Sequence, residues 1–150
     1  IYNYHIINGL NNFEEKPLKK KDFKATCLEI LYSKLPFIIC VKNKKIIGFA
    51  YLSKFRNKSG YRYSFENSIY IEKESINKGI GTLLLKKLIK VSSKNVNIKN
   101  IIAVIGSQDS KSSIKIHKKN GFNVVGTLNK IGFKKKQWLD AIYMQKIINE

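Results

Sequence analysis

Arginine, cysteine and carboxylates are scarce in this chain, and each scarcity narrows what it can be. Arg56 and Arg62 are the only arginines among 29 basic residues. Proteins that read nucleic acid usually favour arginine for its bidentate fork. The net charge of +19 is therefore read mainly as lysine spread over solvated faces, with a smaller share available to attract an anionic ligand. Cys27 and Cys40 are too few for a disulfide framework and lack metal-ligand spacing. Both sit in apolar runs, and the expectation is buried free thiols in a reducing cytoplasm, with no metal. No apolar run approaches the length of a membrane span, and no basic stretch followed by an apolar one opens the chain. What is present, 43% apolar and 26% charged residues over 150 positions, fits one globular domain over residues 1–150 with a single core.

Along the chain, "IYNYHIING" reads as the end of a helix closed by Gly9, and "LNNFEEKPLKK" as a loop with Pro17. "DFKATCLEILYSKL" repeats apolar residues at helical spacing (Phe23, Cys27, Ile30, Leu31), with Asp22 placed as N-cap and Pro36 just beyond the end. "FIICV", "KNKK" and "IIGFAYLSKF" read as strand, turn and strand. "YRYSFENSIYIEKE" is a third strand. Its odd positions Tyr61, Tyr63, Phe65, Ile69 and Ile71 are apolar, and its even positions include Arg62, Ser64, Glu66 and Ser68. Ile80, Leu84, Leu88 and Val91 form a helical stripe. "NIIAVIG" reads as a central strand covered on both faces. "SKSSIKIHKKNG" reads as a short helix ended at Asn120-Gly121, and two strands close the chain.

Between the third strand and the next helix lies "NKGIGT". A helix N-terminus offers unpaired N–H groups and partial positive charge, and glycine lets an anion approach the backbone. The stretch from Asn77 to Thr82 therefore suggests a pyrophosphate cradle of main-chain amides. A P-loop sequence is absent, and a dinucleotide fingerprint would need glycine where Leu84 stands. The x-x-G-x-G turn of acyl-CoA binding remains, although a plain loop-to-helix turn would also explain two glycines.

The remaining motifs extend this reading. Taken together with "NKGIGTLLLKKLI", "YRYSFENSIYI", "IIAVIG" followed by "SIKIHKKNGF", "GFKKKQWLD" and "INGLNNFEEKPL", the chain resembles the GNAT family of N-acetyltransferases, within it the phosphinothricin acetyltransferase-like branch. The resemblance covers nearly the whole chain in the right order. It implies an α/β (α+β) acyl-CoA N-acyltransferase fold. Such a fold has a central mixed, mostly antiparallel sheet flanked by helices, with splayed parallel strands forming the acetyl-CoA cleft. Three departures stand out. Ile76 replaces the usual Gln or Arg before the first glycine, and Ser110 stands where Asn is common. The family's first strand and the start of its first helix have no counterpart, which leaves the completeness of the N-terminus open.

The resemblance implies direct transfer of an acetyl group from acetyl-CoA to a primary amine. An alkyl ammonium, with a pKa near ~10, must lose a proton before it attacks. Glu66 is the candidate base, against the alternative of a solvated glutamate on a strand face. His117, with Ser113 and Ser110 four and seven residues earlier on one helix face, could protonate the departing sulfur, assist the base or be structural. Ile69, Tyr70 and Ile71 are expected to offer main-chain groups to the pantetheine arm and an oxyanion, with the Tyr70 ring also readable as packing. Asn77, Lys78, Gly79, Ile80, Gly81 and Thr82 form the implied phosphate cradle. Phe13, Phe55, Arg56, Lys58 and Tyr61 are the implied acceptor residues, with Arg56 and Lys58 suited to a carboxylate or phosphinate, or else simple surface charge. Trp138 and Asp140 are expected to stabilise the last strands or a dimer interface. The resemblance also implies a homodimer acting on phosphinothricin or methionine sulfoximine.

Two rival readings differ in class. An acetyltransferase for a protein N-terminus, lysine or polyamine would want an acidic groove for a polycation, and only 10 carboxylates are available to build one. A basic nucleic-acid-binding domain, or an acyl-CoA binder without catalysis, would show salt-sensitive binding to any polyanion, unaffected by acetyl-CoA.

Overall fold

The computed structural model describes residues 1–106 and 110–149. Among them the order is α1 (Tyr2–Asn8), α2 (Lys20–Tyr32), β1 (Phe37–Lys42), β2 (Lys45–Lys54), β3 (Ser64–Ile71), α3 (Ile80–Ser92), β4 (Asn100–Gly106), α4 (Lys111–Lys119), β5 (Asn123–Lys134) and β6 (Gln137–Ile147). The six strands form one sheet in the order β1-β2-β3-β4-β6-β5. Every neighbouring pair is antiparallel except β3 and β4, which run parallel. The β1–β2 hairpin turns through Asn43 and Lys44, both at positive φ, as a two-residue hairpin turn that matches strand twist requires.

Side-chain alternation sorts the helices onto two faces. On one face the Phe49 and Tyr70 rings meet Phe23 of α2 and Tyr2 of α1, at 5.8 and 4.7 Å between centroids. On the other, Gly48 lies beneath Leu84 and Ile80 of α3, and Gly81 packs against Ile71 and against Ile116 of α4. Leu84, Leu85 and Leu88 are fully buried there, each contributing about 1.5–3 kcal/mol from burial. β4 is buried along nearly its whole length, as a continuous apolar run predicts.

Several local expectations are corrected. β3 begins at Ser64; Tyr61 closes a 3₁₀ turn, Ser59–Tyr61, and belongs to no strand. Asp22 lies inside α2, whose N-cap is Lys19 with no side-chain cap bond. Leu31 is exposed although it shares the helical spacing of Ile30. Cys27 and Cys40 are free thiols but half-buried rather than buried, and partial burial pushes the Cys27 thiol up. Asp140 secures the β5–β6 hairpin where its register shifts, accepting the Lys130 N–H at 2.7 Å. No helix among the described residues is long and apolar enough to cross a membrane.

Candidate active site

The site begins with a break in the sheet. β3 pairs with β4 only from Ser64 to Glu66, whereas β3 stays paired with β2 through Ile71 and β4 with β6 through Gly106. Beyond Glu66 the two parallel strands part. Alternate residues of a strand turn their backbone groups to opposite neighbours. The Ser64 carbonyl accepts from Phe55 N–H of the β2 side, and the Tyr63 carbonyl from Asn100 N–H of β4. By that alternation Asn67, Ile69 and Ile71 aim their N–H and C=O groups into the gap, while the main chain of Tyr70 is committed to β2. The Ile71 carbonyl is already taken by His5 Nε2 at 2.6 Å.

A cavity of about 620 Å³ runs through this gap. Glu66, Ser68 and Tyr70 present their side chains to the α1/α2 face, and Asn67, Ile69 and Ile71 to the α3/α4 face. Glu66 and His117, both lining the cavity, therefore approach it from opposite sides of β3. Burial raises the Glu66 carboxyl above the ordinary range, opposed by the charge of Arg56. Tyr51 lies on the same face, its phenol pushed up to about 12 chiefly by burial.

His117 is 4% exposed and fixed at both ring nitrogens. Nδ1 lies 2.8 Å from the Ser113 carbonyl, which can only accept, so the proton is assigned to Nδ1. Nε2 then accepts from Asn67 Nδ2 at 3.0 Å. Burial lowers the imidazole pKa, partly offset by the Ser113 bond. The Phe122 ring closes the other side, edge-on at 5.0 Å. Asn67 is itself 7% exposed, and its Oδ1 is buried with no hydrogen-bond partner among the described residues. Sequence reasoning missed Asn67. The signal was the single polar residue among the odd positions of an otherwise apolar strand face.

The glycine turn stands at one end of the gap. Asn77 and Gly79 both have positive φ, and Gly79 is the N-cap of α3, with no side-chain cap bond. The first bond onto Gly79 comes from Leu83 N–H at 3.1 Å, so the amides of Ile80, Gly81 and Thr82 fall in the turn that a helix leaves unpaired. Lys78 folds back to the Glu74 carbonyl at 2.6 Å. Gly81 reaches the cavity, as does Ser113. Ser110 is the buried N-cap residue of α4.

The expected acceptor residues divide. Phe13 lines the gap cavity, together with Asn12 and Glu14 of its loop. Arg56, Lys58 and Tyr61 line a second cavity of about 420 Å³. The Phe55 ring lies edge-on to Tyr61 and carries the Arg56 guanidinium at 4.4 Å. No group of three or more His, Cys, Asp or Glu among the described residues is placed to hold a metal.

Comparison with known proteins bears on this arrangement. The model of the acetyltransferase (GNAT) domain family matches residues 3–143. The chain is 33% identical over 149 residues to a phosphinothricin N-acetyltransferase of Alcaligenes faecalis, covering 99% of this chain and 75% of that one. It is 31% identical over 115 residues to an L-methionine sulfoximine/L-methionine sulfone acetyltransferase of Salmonella typhimurium, covering 77% of this chain and 66% of the other. It superposes with TM-score 0.94 and 34% identity on the crystal structure of a GNAT superfamily phosphinothricin acetyltransferase from Sinorhizobium meliloti in complex with AcCoA, covering 100% of this chain and 80% of that one.

Proposed function

The chain belongs to the GNAT acetyltransferase family, and from that premise we propose that it moves an acetyl group from acetyl-CoA to the primary amine of a small anionic amino acid of the phosphinothricin or methionine sulfoximine type. The observation that carries this reading is the parting of β3 from β4, with a raised carboxylate on one face and an open glycine turn at the α3 N-terminus on the other.

The residues present fit acetyl-CoA. The free edge of β3 at Asn67, Ile69 and Ile71 offers a strand-like partner for the pantetheine amides. Gly79 has open space where a side chain would stand, which keeps the approach to the helix amides clear, and Gly81, where a Cβ would press on Ile71 and Ile116 at 3.1 Å, lets α3 pack closely beside the gap. When bound, acetyl-CoA supplies an acyl carbon activated as a thioester and a thiolate leaving group.

The chain's own residues then divide the proton work. Glu66, on the α1/α2 face, takes one proton from the acceptor ammonium and so frees the lone pair that forms the C–N bond. The raised carboxyl brings base and ammonium closer in pKa, which eases that transfer. Backbone N–H groups of Ile69 and Ile71 stabilise negative charge at the acyl oxygen. The C–S bond breaks, the nitrogen loses a second proton as the amide forms, and the sulfur gains one. His117 does not supply that proton in this arrangement: its N–H is held by Ser113 and its Nε2 offers a lone pair. Its role is to hold Asn67 and the adjacent edge of β3 in place.

Arg56 already acts electrostatically on Glu66, which suits the surroundings of Glu66 to an acceptor carboxylate or phosphinate, whereas Lys58 lines the second cavity. A homodimer completes the reading on the family resemblance alone, and a reducing cytoplasm on the free thiols Cys27 and Cys40. The test is free CoA released from acetyl-CoA over a panel of phosphinothricin, methionine sulfoximine, a short peptide with a free N-terminus, and spermidine. Release with the two amino acids and not with peptide or polyamine is expected. The reverse preference would overturn the acceptor assignment.

A further inference from the structure

Lys134 is a lysine in a place where lysine is costly. It is 2% exposed, as buried as Leu84 and Phe122 of the apolar core. Its Nζ donates to the Asn12 carbonyl at 2.5 Å. Burial and the neighbouring Lys135 lower its pKa, with Glu14 and Glu15 acting the other way. An ammonium taken out of water needs compensation, and an apolar side chain of similar length would often serve stability as well or better.

The carbonyl it holds belongs to the loop between α1 and α2, which lines the gap cavity through Asn11, Asn12, Phe13 and Glu14. Asn12 is held from a second side, its Nδ2 donating to Tyr70 Oη at 3.0 Å. Asn12 Oδ1 accepts the Glu14 N–H at 2.7 Å. The Phe13 ring lies directly over Gly132, leaving no room for a Cβ there. At the far end Asn3 makes two bonds to Leu18, accepting from its N–H and donating to its carbonyl. The segment between is thus strapped at both ends, and Lys134 supplies a strap at the Asn12 end, where the loop lines the cavity shared with Glu66 and Tyr51.

We propose that Lys134 is a positioning residue for the acceptor: through the Asn12 carbonyl it sets the loop wall against which the amine substrate lies, on the face opposite the thioester. This rests on the reading that the acceptor enters from the α1/α2 side. The test is Lys134→Met, with Gly132→Ala as a second variant that displaces Phe13 while keeping the ammonium. Both should stay folded by circular dichroism. With methionine sulfoximine, KM should rise about 10-fold, the loss expected for one charge-assisted hydrogen bond. The KM for acetyl-CoA should be unchanged. Hydrogen exchange of the amides over residues 12–18 should accelerate in Lys134→Met, with α3 and α4 unaffected. An unchanged acceptor KM, or equal rises in both KM values, would overturn the proposal. Should wild type turn over no amino acid, the acceptor reading fails instead. The exchange measurement then decides alone, and unaltered protection over 12–18 would overturn the strap.

Discussion

Asn67→Asp would invert the electrostatics of the buried pair. In the native pair Asn67 Nδ2 stands 3.0 Å from His117 Nε2 as a donor, and burial holds the imidazole below its ordinary 6.5. An aspartate of the same shape would put a carboxylate oxygen at that position. An opposite charge so close favours the imidazolium by about 1–3 pKa units, or ~1.4–4 kcal/mol of differential interaction. The carboxylate is also desolvated there, so the two groups titrate as a pair. Imidazole resonances followed by NMR against pH give the direct readout, with His5 the only other histidine and removable as His5→Gln. Stability provides the second readout. In wild type the folded pKa is depressed, so the contribution of His117 is complete above pH 6.5 and is lost as pH falls through the folded value. In the variant the folded pKa lies above the unfolded one, so its contribution is present below pH 6.5 and is lost as pH rises through the folded value. The variant's Tm should therefore decline as pH rises above 6.5, where this group leaves wild type level. A His117 resonance whose pKa in Asn67→Asp is not raised relative to wild type, or two parallel Tm profiles, would refute the pairing.

Two further perturbations address the two faces of the gap. Arg56→Met removes the charge that opposes burial at Glu66, so the acid limb of kcat/KM should move to higher pH; an unmoved limb would mean that Glu66 is not the group whose ionisation is read. Gly79→Val places a branched side chain at φ +79, at a cost of about 1–2 kcal/mol, and fills the open approach to the α3 amides. Calorimetry should show acetyl-CoA affinity falling more than about 10-fold with the acceptor side untouched, and unchanged affinity would count against the cradle.

Much of this was legible before any coordinates, and the remainder was hidden for identifiable reasons. The apolar runs of β4 and α3 announce themselves, because burial on both faces and a 3.6-residue stripe leave few alternatives. Gly79 could be read as a helix-opening residue from its neighbours alone, and it takes the left-handed conformation that only glycine adopts cheaply. The start of β3 was not legible, because Tyr61 and Tyr63 continue the apolar alternation into a turn whose stop depends on the pairing with β2. The opposite placement of Glu66 and His117 also lay beyond local pattern. It follows from one short parallel ladder, Ser64–Glu66 against Asn100–Ile102, that joins segments far apart in sequence. Lys134 was equally hidden, because its burial depends on the register of a long hairpin and on a loop more than a hundred residues away. Asn67 was the exception: a polar residue breaking an apolar face is a visible conflict, and such conflicts tend to mark sites rather than errors.

The central claim is that Glu66 receives the ammonium proton within the parted strands. The most direct measurement is the pH dependence of CoA release by Glu66→Gln with methionine sulfoximine as acceptor, alongside acetyl-CoA binding by calorimetry. Glutamine keeps the shape and removes the base. The account predicts unchanged acetyl-CoA affinity and turnover reduced by about 10²–10⁴-fold near neutral pH. The rate should recover as pH approaches the pKa of the acceptor's own ammonium, where the amine needs no base. Turnover at wild-type rate near pH 7, or a deficit that does not narrow at high pH, would contradict it.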